Sequence, residues 1–235
     1  NFAVGKPIGA ILTLSVRKNQ QLMNQIRNII FDLGGVMINL RRENAVHALE
    51  QLGMTDADSM LGLYKQQPPF LSLETGHLTA GGFFDMMRTR IGRQVSDMEI
   101  QNAVNAFLID IPVERLEALR CLRAKGYRLY VLSNTNAVMY HSWIDEAFRQ
   151  IEPLSINDYF DGIVVSFEER TCKPDPAIFN TVIRRYGLVP EETLMLDDSQ
   201  ANCDAAKSVG LQAIRIGSTS DDDMLAVAAK LEQAR

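Results

Sequence analysis

Four short segments carry side chains that could do chemistry together. They are FDLGG with Asp32, LSNTN with Ser133, TCKPDP with Lys173, and LDDSQAN with the pair Asp197–Asp198. Taken singly, each means little. An aspartate closing a strand is more often a turn former or a helix cap. Ser133 could cap the next helix, Lys173 could be a solvated loop charge, and Asp197–Asp198 could be first-turn acids of a helix. As a set they offer a nucleophile, a hydroxyl, a cation and a metal-binding acid pair, and the chemistry that wants this set is phosphoryl transfer. Attack on a phosphate needs a positioned nucleophile and charge neutralisation on its oxygens, and little else. A carboxylate can attack phosphorus to give an aspartyl-phosphate. Magnesium takes a few oxygen ligands and keeps its remaining waters, so acids from two strand ends and a backbone carbonyl suit it. Ser133 with the backbone amides of Asn134 and Thr135, at a helix start, can hold phosphate oxygens. Lys173 adds a point charge for both the phosphate and the nucleophile.

These groups can meet only if the strands before them run side by side. Four apolar, β-rich runs are clear: NIIFDL (28–33), YRLYVLS (127–133), GIVVSF (162–167) and TLMLDD (193–198), with a weaker QAIRIG (212–217) after them. Continuous apolar runs of this length suit strands covered on both faces, as in a parallel sheet. Between them lie helical patterns: PVERLEALRCLRAKG with Pro112 in its first turn, PDPAIFNTVIRRYG, and SQANCDAAKSVG. The alternation predicts an α/β fold with a doubly wound parallel sheet. In such a sheet ligands bind at the carboxyl ends of the strands, where the four segments stand.

One stretch breaks the alternation. Residues 41–111 read as almost entirely helical, which is more chain than one crossover needs. Ser96 and Glu99 have capping-box spacing. Phe83, Phe84, Met86 and Met87 are read as the core of this unit or its contact with the sheet. The expected division is a helical cap over 43–109 and a catalytic core of 23–42 with 110–235. MNQIRNIIFDL reads as a natural start at Met23, which makes residues 1–22 an expected extension outside the core.

The net charge of −5 and the lack of a Lys/Arg run argue against nucleic acid or an anionic membrane as partner. The longest uncharged apolar stretch near the start, PIGAILTLSV, is too short to span a bilayer. Three scattered cysteines favour a reducing compartment over a disulfide framework or zinc site. The expectation is a cytoplasmic protein, monomeric or a small homo-oligomer, with a small phosphorylated metabolite as its partner.

The ordered set FDLGGV, LSNTN, CKPDP and LDDSQAN resembles the four motifs of the haloacid dehalogenase-like (HAD) hydrolase superfamily. The helical insertion resembles that superfamily's first type of cap. The branch most similar contains the α-D-glucose-1-phosphate phosphatases and the amino-terminal phosphatase domain of epoxide hydrolases. The resemblance implies a Rossmann-like core, Asp32 as nucleophile, and Ser133, Asn134 and Lys173 as phosphate binders. It implies a magnesium site of Asp32, the Gly34 carbonyl and Asp198, helped by Asp197 and Asn202. Most phosphatases of the superfamily place an acid–base aspartate two residues after the nucleophile, where this chain has Gly34. General acid–base help is worth about 10²–10⁴ in rate, so the gap weakens catalysis without forbidding it. Glu74 and His77 in LETGHLT are the cap's candidates for substrate contact or the missing proton, against the blander reading of a solvated turn. Tyr140, His141 and Trp143 are read as packing on the sheet edge rather than substrate contacts. Two alternatives stand beside a sugar-phosphate phosphatase: a metal-independent 2-haloacid dehalogenase, which needs no acid pair in the fourth motif, and a catalytically weakened phospho-ligand binder. A mutase ranks below these, because it needs an acid to shuttle protons.

Overall fold

The computed structural model describes residues 23–217 and 223–234, so the expected extension over 1–22 lies outside the described residues. Five strands form one parallel sheet: β1 (Asn28–Phe31), β2 (Arg128–Ser133), β3 (Gly162–Val165), β4 (Thr193–Asp197) and β5 (Gln212–Arg215). Their order is β3-β2-β1-β4-β5. The strands are the five apolar runs, slightly trimmed, because pairing stops before the chain turns away at the carboxyl edge. β1 is central, with Phe31 opposite Val131 of β2 and Leu196 of β4.

Alternate residues of each strand feed two different hydrophobic layers, as the pleat dictates. Ile29, Phe31, Leu129 and Val131 face one side with Leu116 and Leu119 of helix Val113–Ala124 and Val227 of helix Met224–Gln233. Ile30, Tyr130, Leu132 and Met195 face the other side with Phe179 of helix Pro176–Tyr186 and Ala206 of helix Gln200–Ser208. Truncating one of the larger of these side chains, such as Leu116, Leu132 or Phe179, to alanine would cost about 2–5 kcal/mol. Pro112 sits one place earlier than expected, as the residue that caps helix Val113–Ala124.

Between β1 and helix Val113–Ala124 the described helices are Arg42–Leu52, Ala57–Met60, Phe70–Glu74, Ala80–Ile91 and Asp97–Asn105. They bury a hydrophobic cluster of their own around Leu49, Phe83, Met87 and Val104. The Ser96–Glu99 capping box forms as its spacing suggests. Phe83, Phe84 and Met87 are buried, but Met86 is 46% exposed, because it stands off the face of the same helix that those three share. The chain enters and leaves this unit through paired backbone: Ile109 N donates to Asn39 O at 2.9 Å and Arg41 N to Phe107 O at 2.9 Å. Tyr140 and Trp143 pack partly buried against the sheet layer, and His141 lies against Phe167.

Candidate active site

β1 ends by aiming Asp32 into the gap between the ends of β2 and β4. The Asp32 amide still donates to Leu196 O at 2.9 Å, so the carboxylate stands one residue past the last buried pair. The chain then folds back tightly, with Met37 N and Ile38 N both donating to Leu33 O at 2.8 Å. Gly35 makes this turn at φ +72°, and a Cβ there would lie 2.3 Å from Asp198 Oδ2, so only glycine lets the two loops approach.

Under the gap lies Lys173, whose side chain is fully buried. Its ammonium donates to Asp32 Oδ2 at 3.0 Å, to Asp197 Oδ2 at 2.7 Å and to Leu132 O at 2.8 Å, which uses all three donors. Asp197, also fully buried, accepts on its other oxygen from Asn202 Nδ2 and Ser199 N, each at 2.9 Å. Asn134 fastens the lysine's backbone, accepting from Lys173 N and donating to Lys173 O at 2.8 Å each.

A cavity opens above these groups, lined from the core by Asp32, Gly34, Ser133, Asn134 and Asp198, and from the helical unit by Leu61, Tyr64, Phe70 and Glu74. Of the residues expected from sequence, Asp32, Gly34, Glu74, Ser133, Asn134, Thr135, Asp198 and Asn202 line it, while Lys173 and Asp197 lie beneath, the lysine holding Asp32 from below. His77 is exposed, bonded to Thr75, and outside the lining. Tyr140, His141 and Trp143 are outside it too.

Charge in this floor is crowded. Burial, with Asp197 and Asp198 adding repulsion, pushes Asp32 up to about 7 against the pull of Lys173. Burial and Asp197 push Asp198 to about 6. Burial raises Glu74 to about 7, again opposed by Lys173. Burial disfavours the charge on Lys173, but Asp197 and Asp32 outweigh it and hold its pKa above the ordinary value. Cys172 is raised chiefly by burial, so it is no activated thiol. Three carboxylates with oxygens within 4.8 Å of one another thus face one ammonium. Such an excess of hard oxygen donors fits a small divalent cation. Asp197 is wholly buried and outside the cavity lining, so Asp32 and Asp198, which line it, are the acids best placed to hold it.

Sequence reasoning missed two participants. Tyr64 lines the cavity with Asp198, near enough for that carboxylate to help raise the tyrosine's pKa. Ser166, wholly buried, receives Thr135 N at 3.0 Å, and its hydroxyl reaches both Thr135 O (2.8 Å) and Glu74 O (2.7 Å). Neither stands in a recognisable motif; SFEE read as the end of a strand run, and LYKQQPPF carries no periodicity.

A family model for haloacid dehalogenase-like hydrolases matches residues 26–210. The chain belongs to the haloacid dehalogenase-like hydrolase family. It is similar to the D-ribitol-5-phosphate phosphatase of Bacteroides thetaiotaomicron, 35% identical over 190 residues, which span 81% of this chain and 91% of that enzyme. A crystal structure of a wild-type HAD family enzyme from the same organism, in complex with magnesium and inorganic phosphate, superposes with a TM-score of 0.77 at 36% identity, covering 83% of this chain and 96% of that one. The mouse bifunctional epoxide hydrolase 2 is 23% identical over 214 residues, 83% of this chain and 37% of that protein. The Rossmann-like HAD fold and the likeness to family phosphatases, the epoxide hydrolase among the relatives, are therefore as the four motifs led one to expect.

Proposed function

We propose that this HAD-like phosphoric monoester hydrolase releases phosphate from a small sugar or sugar-alcohol phosphate, with magnesium as cofactor and a phosphorylated Asp32 as intermediate. The observation that carries the reading is the convergence of Asp32, Asp197 and Asp198 on one cavity above a single buried ammonium. Asp32 attacks phosphorus. Lys173 fixes the attacking carboxylate, its own position set by Asp197, and Ser133 and the Asn134 loop bind the phosphate oxygens. When bound to Asp32, Asp198 and the Gly34 carbonyl, magnesium supplies the positive charge that the crowded acids and the phosphate both lack. The kinship with a ribitol-phosphate phosphatase supports a polyol or sugar leaving group, and a cavity of about 110 Å³ suits a small monoester. Metal-free dehalogenation is the weaker reading: it gives no reason to keep Asp198 in the cavity wall with its pKa raised. We take 43–109 as the cap and 23–42 with 110–235 as the core, which places the cavity between them. The three cysteines are free, and among the described residues no helix is long and apolar enough to cross a membrane, which is compatible with a cytoplasmic enzyme.

The test is phosphate release from ribitol 5-phosphate, glucose 1-phosphate and para-nitrophenyl phosphate, with magnesium and with a chelator. Turnover should require the metal, and Asp32→Asn should lower it on the order of 10⁴-fold or more while the protein stays folded. Release of halide from 2-chloropropionate without metal would overturn the reading.

A further inference from the structure

Transfer of phosphorus to Asp32 leaves the departing oxygen in need of a proton, and the water that later frees Asp32 must lose one. Gly34, two residues on and in the cavity wall, has no side chain to serve either step. Among the described residues the titratable side chains lining the cavity are Asp32, Tyr64, Glu74 and Asp198; none of the three histidines does. Asp32 is the nucleophile and Asp198 belongs to the metal side. Tyr64 stands near Asp198, and burial and that carboxylate raise its pKa, which makes it a still weaker acid. We infer that Glu74 is the proton-transfer residue, giving a proton to the leaving oxygen and then taking one from the attacking water. The inference rests on the phosphatase reading and adds to it the path of the proton.

Glu74 closes helix Phe70–Glu74, and that end of the helix is tied to the core rather than free to swing. Ser166 ties the Glu74 carbonyl to Thr135, beside the proposed phosphate loop. Two residues on, Gly76 (φ +64°) sits so close to Phe167 O that a Cβ would be 1.9 Å away. These contacts fix the backbone that carries the carboxyl, in the wall of the cavity that Asp32 also lines, and a proton donor needs such a constant footing. Its charged or titratable neighbours are Lys173 and Cys172. Burial holds it near neutrality, where one group can both give and take a proton.

The steps balance. First the Asp32–phosphorus bond forms as the bond from phosphorus to the leaving oxygen breaks, and that oxygen receives the Glu74 proton. Then the water oxygen bonds phosphorus, the bond to Asp32 breaks, and a water proton returns to Glu74. One ester and one water become one alcohol and one phosphate.

The test compares phenyl phosphate with para-nitrophenyl phosphate, which are close in shape but differ in how much the departing oxygen needs a proton. Glu74→Gln should lower kcat/KM for phenyl phosphate about 10²-fold or more, and at least tenfold more than for para-nitrophenyl phosphate. Equal losses on the two esters would overturn the inference by making Glu74 a merely structural residue. Should the variant not fold, the wild-type enzyme decides: kcat/KM should differ less than about tenfold between the esters if an acid assists departure, and a larger fall on phenyl phosphate overturns the proposal. A wild-type enzyme that with magnesium hydrolyses neither ester would instead remove the phosphatase reading.

Discussion

The floor and the roof of one cavity obey different physics. In the floor, the side chains of Lys173 and Asp197 have no exposure at all, and every ammonium donor has a named acceptor. Position there is enforced by charge that cannot leave. In the roof, Leu63 is 44% and Tyr64 56% exposed, and Gln66 spends its amide on Gly62, accepting from its N and donating to its O. Position there rests on packing and neutral hydrogen bonds, Ser166 to the Glu74 carbonyl among them. The floor can therefore be rigid and chemically committed while the roof remains open to a choice of leaving group.

The sharpest way to break this contrast is to remove the floor's buried cation. Lys173→Met should cost about 3–5 kcal/mol, because Asp32 and Asp197 would be left buried and unpaired. Thermal melts with and without magnesium would read it: the metal should restore part of the loss, and an unchanged melt would mean the floor is not held by charge. Next in size is Gly35→Ala. Strain at φ +72° costs about 1–3 kcal/mol, and the new Cβ must push Asp198 aside. Magnesium affinity, measured by calorimetric titration, should fall about 10–100-fold.

Acidity gives a third measure. The folded-state pKa values of Asp32 and Glu74 stand near 7 and that of Asp198 near 6, all above their ordinary range. The native state therefore holds more protons than the unfolded chain between about pH 4 and 7, and stability must fall as pH rises through that window. Metal-free protein should melt higher at pH 5 than at pH 8, and magnesium should shrink the difference by favouring the ionised acids. A metal-free protein that gains stability towards pH 8 would contradict the crowding described for the floor.

The same contrast explains what was legible. The floor could be read because it depends on residue type at strand ends: Asp32, Ser133, Lys173 and Asp198 each close a buried apolar run or the loop after it, and a parallel sheet brings such ends to one edge. That Lys173 would spend its donors on Asp32, Asp197 and a carbonyl could not be read, since which of two acids accepts is a matter of distance. The roof was nearly opaque. Tyr64 and Gln66 lie on irregular chain between short helices, where no period marks an inward face. Ser166 is a single buried hydroxyl whose three contacts come from residues 31 and 92 positions away. Glu74 was visible as a candidate only because a carboxylate in LETGHLT invites the question; its place in the cavity comes from a glycine packed against a carbonyl, which spacing does not encode.

The smallest expected effect tests whether the division is real. Tyr64 is a roof residue that stands near a floor residue, and the Asp198 carboxylate helps raise its pKa. A cation arriving at Asp198 competes with the hydroxyl for that carboxylate, and a hydroxyl contact is worth about 0.5–1.5 kcal/mol. Tyr64→Phe should therefore bind magnesium a few-fold more tightly, by calorimetric titration. Its stability should change by no more than about 0.5 kcal/mol, because the ring is mostly exposed. If the affinity fell instead, the hydroxyl would be helping to hold the ion's shell. The roof would then share the floor's electrostatics, and the two halves of the cavity would no longer obey different physics.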